Sequence, residues 1–177
     1  GISRTLDLLL MKDLKICGEI TLPVHHCLIS KSKDLKKITS IYAHGQSLAQ
    51  CHDWIANNLP NAEKITVLSN AEGAKIASKE KHSAAIASAR AASIFKLNIL
   101  QNHIEDEPNN TTRFLILSDQ EILQSGNDKT SIVVATKNKP GAIVDLIQPF
   151  ASRKVSLTKL ESRPSRIGMW EYVFFID

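Results

Sequence analysis

Two threonines and an arginine stand together at the front of an apolar run in NNTTRFLILS, residues 109–118. A threonine hydroxyl is far too weak an acid to be a free proton source at neutral pH, so its chemistry is that of a hydrogen-bond donor or relay. An arginine offers a planar fork suited to a carboxylate. From spacing alone, the stretch is the β-branched start of a strand, with Thr111 and Thr112 alternating between faces. Cys51, His52 and Asp53 have the residue types of a nucleophile, a base and an orienting group. Consecutive helix positions point about 100° apart, however, and do not face each other. Cys17, His25, His26 and Cys27 have ligand types without the C-x₂-C or H-x₃-H spacing that aims side chains at one ion, so no metal is expected.

The elements that must carry these residues follow from periodicity. KICGEITLPVHHCLIS alternates apolar and polar residues and contains Pro23, which predicts an extended segment or edge strand. TLDLLLMK before it has the look of a helix tail. After the short strand ITSIYAH, Leu48, Cys51, Ile55 and Leu59 fall at helical spacing from Gln46 to Leu59, and Pro60 stops the helix. KITVLS is a strand, Asn70 is expected to cap the helix AEGAKIASKE, SAAIAS is a small buried strand, and ARAASIFKL is a helix. NILQNHIEDEPNNT is expected to be a polar loop before TRFLILS. Strands alternating with helices predict a mostly parallel sheet.

The pattern changes at the turn-rich DQEILQSGNDK. TSIVVATK, PGAIVDLIQPFASR, KVSLTKLESRP and GMWEYVFFID give β-α-β-β, the first part of a ferredoxin-like unit whose last helix and strand are expected beyond the chain.

Composition excludes several classes. A net charge of +4 comes from 22 basic and 18 acidic residues scattered along the chain. With no basic block and little aromatic interleaving, nucleic acid is not indicated. No apolar run approaches the ~20 residues of a membrane span. Three cysteines, an odd count in a chain of 177 residues, fit a reducing compartment, and the cytoplasm is the expected setting.

The motifs accumulate in a recognisable order: DLKICGEI, AHGQSLAQC, SNAEGA, AAIAS, IEDEPNNTTRF, SGNDKTS, NKPGAIVDLIQPFA, ESRPS and WEYVFFID. One alone is weak; their collinearity is not. The chain resembles prephenate dehydratase, free-standing or as part of a bifunctional chorismate mutase and prephenate dehydratase. The resemblance implies an α/β dehydratase domain, periplasmic-binding-protein-like (type II), over 1–124, comprising the second lobe and the returning part of the first. A ferredoxin-like α+β ACT domain is implied over 125–177. Both are expected to be incomplete, the first lobe with its Pro-x-Glu-Asn segment lying upstream.

The reaction so implied expels carbon dioxide and the ring hydroxyl of prephenate to give phenylpyruvate in L-phenylalanine biosynthesis. Aromatisation drives it, so the enzyme orients substrate and helps the hydroxyl leave. The N-x-T-R-F pattern of the family falls on Asn110, Thr112, Arg113 and Phe114. It makes Thr112 the donor, Arg113 a carboxylate partner and Phe114 its packing neighbour, with Thr111 at the variable position and pointing away.

In YAHGQSLAQC the resemblance assigns His44, Gln46 and Gln50 to the substrate site, at a helix N-terminus that offers N–H groups to a carboxylate. Ala43 and Gly45 stand where the family commonly has serine and proline. The alternative for His44 is a turn histidine capping a helix. Ser69 and Asn70 could contact ligand or simply cap.

For regulation, the family's phenylalanine site falls on Gly141, Ala142, Ile143 and Val144 and on Glu161, Ser162, Arg163 and Pro164. L-Phenylalanine is thus the expected effector, acting at a dimer interface on the distant cleft, in a homodimer or homotetramer. No cofactor, nucleic acid or membrane is expected. Two alternatives stay open: a piece that retains only amino-acid binding or dimerisation, and a two-lobed solute-binding protein.

Overall fold

The structure of the chain, a computed structural model, describes residues 8–9, 13–120, 122–165 and 172–177. It divides into two compact units, one made of 19–114 and the other of 1–18 with 115–177.

The unit of 19–114 is built on a five-stranded sheet. Its strands are β2 (Cys27–Ser30), β3 (Ser40–Ala43), β4 (Glu63–Thr66), β5 (Ser83–Ala87) and β6 (Asn98–Gln101), in the order β4-β3-β5-β2-β6. The helices between them are α1 (Gly45–Gln50), α2 (His52–Asn58), α3 (Asn70–Ala77) and α4 (Ala89–Phe95). Pairings β3–β4 and β3–β5 are parallel, whereas β2 is antiparallel to both β5 and β6. The sheet is therefore mixed, not mostly parallel as the alternation suggested. The helical crossovers do join parallel strands. β2 breaks the rule because its link to β3 holds only the one-turn 3₁₀ helix Leu35–Lys37 and no crossover helix to bring the chain back in the same direction.

Period-two alternation puts both faces of this sheet in a core. Leu28, Ile41, Ala84 and Ile86 pack with Cys51, Ile55 and Leu59 from the α1–α2 side. Cys27, Ile29, Ala85 and Ala87 pack with Ala74, Ala77 and Ala92 from α3 and α4. The alanine-rich face lets α3 come close: a Cβ built on Gly73 would lie 2.7 Å from the Tyr42 carbonyl oxygen, nearer than any side chain tolerates.

Three further local expectations are corrected. The segment 46–59 is two helices, broken at Cys51 (φ −119°, ψ 21°). The break is compensated from far along the chain: the Asp106 N–H donates to the Gln50 carbonyl at 2.8 Å, and its carboxylate accepts the N–H groups of Asp53 and Trp54 at 3.1 Å each. These are the orphan groups of two helix ends. Next, the front of the expected polar loop is strand β6, whose polar ends Asn98 and Gln101 hide its pairing with β2. Finally, Ser69, not Asn70, caps α3, its hydroxyl accepting from the Glu72 N–H at 3.1 Å.

Strands β1 (Lys15–Pro23) and β7 (Thr111–Ser118) form a two-stranded sheet of their own. In the unit that ends the chain, β8 (Ile132–Thr136), α5 (Ala142–Ser152), β9 (Leu160–Pro164) and β10 (Tyr172–Ile176) follow in the expected order. Their sheet runs β8-β10-β9 with both pairings antiparallel. The crossover helix thus joins two parallel strands with the third between them, the split β-α-β of a ferredoxin-like unit. β9 is shorter than KVSLTKLESRP, with Lys154 in the left-handed region (φ 56°) ahead of it. Most of the helix tail expected in TLDLLLMK, and residues 168–171 of the last strand segment, lie outside the described residues.

Candidate functional site

Two helix starts and one strand start converge within the unit of 19–114. His44 caps α1, its Nδ1 accepting the Gln46 N–H at 3.2 Å, so the capping role and the position assigned to the site coincide in one residue. Asn70 opens α3 but spends its side chain elsewhere. Its Oδ1 accepts the His44 N–H at 2.9 Å and its Nδ2 donates to the Ser47 hydroxyl at 2.8 Å. One amide thereby ties the first turn of α3 to the first turn of α1.

Gln50, at the end of α1, has its Oε1 2.9 Å from His26 Nε2. The amide oxygen can only accept, so this ring nitrogen carries the proton. The Val24 N–H donates to the Asn110 carbonyl at 2.8 Å, which brings the start of β7 alongside. The result is a cleft of ≈ 520 Å³ whose walls include His26, His44, Gln46, Ser47, Gln50, Ser69, Asn70, Asn110, Thr111 and Thr112. A neighbouring hollow of ≈ 530 Å³ shares Gln46, Gln50 and Asn110 and adds Glu105, Asp106 and Glu107.

Of the substrate-site residues picked from the sequence, His44, Gln46, Gln50, Ser69, Asn70, Asn110 and Thr112 are thus brought together. Thr111 also lines the cleft, against the expectation that it points away. Arg113 and Phe114 do not. Arg113 Nε lies 2.5 Å from Glu19 Oε2 on β1, a contact of charge more than an aligned hydrogen bond. Phe114 is half exposed. Cys51, buried between α1 and α2, is no nucleophile: burial, then the charges of Asp106 and Glu105, push its thiol up to about 12.

Sequence reasoning missed His26 and Ser47. His26 had been weighed only as a metal ligand beside its neighbours. No local signal could have paired it with Gln50, 24 residues away. Ser47 follows from the helix start at His44, since the hydroxyl on the first turn faces the same way.

The residues that the resemblance assigns to phenylalanine lie in the other unit. Gly141 caps α5 in the left-handed conformation (φ 81°), which glycine adopts without strain. Ala142, Ile143 and Val144 form the first turn, with Ile143 and Val144 exposed. Glu161, Ser162, Arg163 and Pro164 lie on the edge strand β9, paired with Phe175, Phe174, Val173 and Tyr172. Lys159 and Arg163 both pair with Glu161, whose carboxyl they hold below its ordinary value against the opposing effect of burial.

Comparison with known proteins extends these observations. The prephenate dehydratase family profile matches residues 1–122, and an ACT domain profile matches residues 130–177. The bifunctional chorismate mutase/prephenate dehydratase of Pseudomonas aeruginosa is 49% identical over 178 residues, which are 100% of this chain and 49% of that protein. The crystal structure of prephenate dehydratase from Arthrobacter aurescens in complex with L-Phe superposes with a TM-score of 0.78 at 31% identity, over 99% of this chain and 60% of that one. That of Staphylococcus aureus gives 0.84 at 26% identity, over 99% and 66%. The chain spans about half the length of the curated relatives it matches. Matched through its cleft residues and on into the following sheet, the chain belongs to the prephenate dehydratase family.

Proposed function

We propose that the protein carries out the decarboxylating dehydration of prephenate to phenylpyruvate, under feedback by L-phenylalanine through its ACT domain, with the domain division at 124/125. The observation that supports this most directly is the cleft lined by Thr112 and Asn110 from the start of β7, Gln46 and Gln50 from α1 and Asn70 from the start of α3.

In this reading, prephenate enters with its ring hydroxyl toward Thr112. The ring carboxylate leaves as carbon dioxide, the electrons of the broken carbon–carbon bond flow into the ring, and the carbon–oxygen bond on the opposite side breaks. The Thr112 hydroxyl donates a hydrogen bond to the departing oxygen as charge builds on it, an interaction stronger in the transition state than before it. His44, Gln46, Gln50, Ser69, Asn70 and Asn110 hold the substrate. Arg113 takes a substrate carboxylate in exchange for Glu19, and Phe114 packs beside it.

The test is phenylpyruvate formation from prephenate by the product of the whole gene and by its Thr112→Ala partner. Equal rates would remove Thr112 from catalysis, and no phenylpyruvate from either would remove the activity. The span of the chain relative to its relatives supports a second reading for these 177 residues alone. That reading is retention of phenylalanine binding through Gly141–Val144 and Glu161–Pro164, in a dimer or tetramer, without turnover.

A further inference from the structure

Outside the cleft, the loop that caps α2 builds a second cluster. His25 Nδ1 lies 2.8 Å from Glu105 Oε1. His103 Nδ1 lies 3.1 Å from His25 Nδ1 and 3.5 Å from Glu105 Oε1. Protons serve this triangle poorly. An imidazole Nδ1 carries, in the ring plane, either one N–H or one lone pair. If His25 Nδ1 holds a proton, that one N–H must serve both the Glu105 oxygen at 2.8 Å and the His103 lone pair at 3.1 Å, a shared bond weaker toward each. If it holds none, its lone pair faces a carboxylate oxygen at hydrogen-bond distance. A cation resolves both contacts by taking all three lone pairs at once.

The dimensions fit one. Zinc bonds of ~2.0–2.1 Å in a tetrahedral arrangement separate neighbouring donor atoms by about 3.3 Å, and the three sides of 2.8, 3.1 and 3.5 Å fall around that length.

The frame is preset. The Ile104 N–H donates to the His26 carbonyl at 3.0 Å, and the His26 N–H donates to Glu105 Oε2 at 2.9 Å. One carboxylate oxygen is thereby anchored and the other turned to the histidines, the kind of support that orients a metal ligand. His103 adopts φ 52°, a region non-glycine residues seldom enter, and its ring meets that of His25 edge-on with centroids 4.3 Å apart. The Glu105 side chain is 2% exposed, those of His25 and His103 45% and 64%. The carboxylate is thus held inside the protein while both imidazoles reach solvent.

We propose that His25, His103 and Glu105 form a three-ligand site for a divalent transition cation of the zinc class. This departs from the expectation of no metal, which rested on Cys17, His25, His26 and Cys27. Only His25 of that group takes part; the other ligands come from 78 and 80 residues away. The site clamps the residues ahead of β2 to the loop after β6 and is independent of the prephenate reading.

The test is calorimetric titration of the chelator-stripped chain with zinc, with cobalt(II) absorption as a report on coordination geometry. The expected result is one ion per chain and a tetrahedral cobalt spectrum. Affinity should fall at least tenfold in His103→Ala and in His25→Ala, and stay unchanged in His52→Ala and His82→Ala. His103 is exposed, so its variant folds even if His25→Ala does not. No saturable binding, or equal affinity in His103→Ala and the unaltered chain, overturns the site. So does loss of binding in the His52 or His82 variant to the same degree.

Discussion

The side-chain amide of Asn70 donates to the Ser47 hydroxyl, 23 residues away in the chain, at 2.8 Å and so joins the first turns of two helices. The same side chain accepts from the His44 backbone. Asn70→Ala leaves a backbone N–H and the hydroxyl of the buried Ser47 without these partners. It is expected to cost about 1–3 kcal/mol of stability in urea unfolding. Asn70→Asp keeps the acceptor for His44 and can accept from Ser47 in turn, so it should lose less than half as much. Equal losses for both variants would mean that the amide is not acting through these two bonds.

Thr112 is expected to act on the barrier more than on binding. Thr112→Ala should lower kcat by ~10²–10³-fold with a small change in KM, the pattern of a donor used mainly in the transition state. Thr112→Ser, which keeps the hydroxyl, should recover most of the rate. A raised KM with kcat intact would make the residue a binding contact instead.

The Cys51 thiol is pushed from its ordinary value to about 12 by burial first and by Asp106 and Glu105 second. Because the shift is upward, the thiolate is scarce at all pH values well below 12. With iodoacetamide at pH 8, native protein should be labelled at the partly exposed Cys17 and spared at Cys51, until unfolding equalises the two. Peptide mapping reads the outcome, and labelling of both at one rate would contradict the burial.

Gly73 and Gly141 are required for different reasons. Gly73→Ala presses a Cβ onto the Tyr42 carbonyl and should destabilise the unit of 19–114 by ~1–3 kcal/mol, as overpacking does. Around Gly141 there is space, yet its positive φ penalises a side chain by roughly 1–2 kcal/mol. Gly141→Ala should therefore weaken L-phenylalanine binding in calorimetry while leaving phenylpyruvate formation without effector nearly unchanged. Binding of tyrosine as strong as that of phenylalanine would undo the effector assignment itself.

What the sequence disclosed depended on how local its cause was. β5 was visible because SAAIA is uniformly buried, and α5 because its apolar spacing, its glycine start and its position between strands agree. The break at Cys51 was invisible because Asp106, the residue that compensates it, is over 50 positions away. β6 was hidden because it is only four residues long and its two ends, Asn98 and Gln101, are polar. In the cleft, the helix-start residues and Thr112 carried local patterns. His26 did not, nor did Glu105 outside the cleft, because each matters through partners that only the tertiary fold supplies.

Four residues, 103–106, deserve a different name from the loop they form. Surface connections usually accept an inserted residue at small entropic cost. Here consecutive positions are each committed elsewhere: His103 to His25, Ile104 and Glu105 to His26, Asp106 to Gln50 and to the start of α2. An insertion or deletion would put every later partner out of step by one. The segment behaves as a ruler, and its length, more than any one of its side chains, is what a graft or circular permutation must leave untouched.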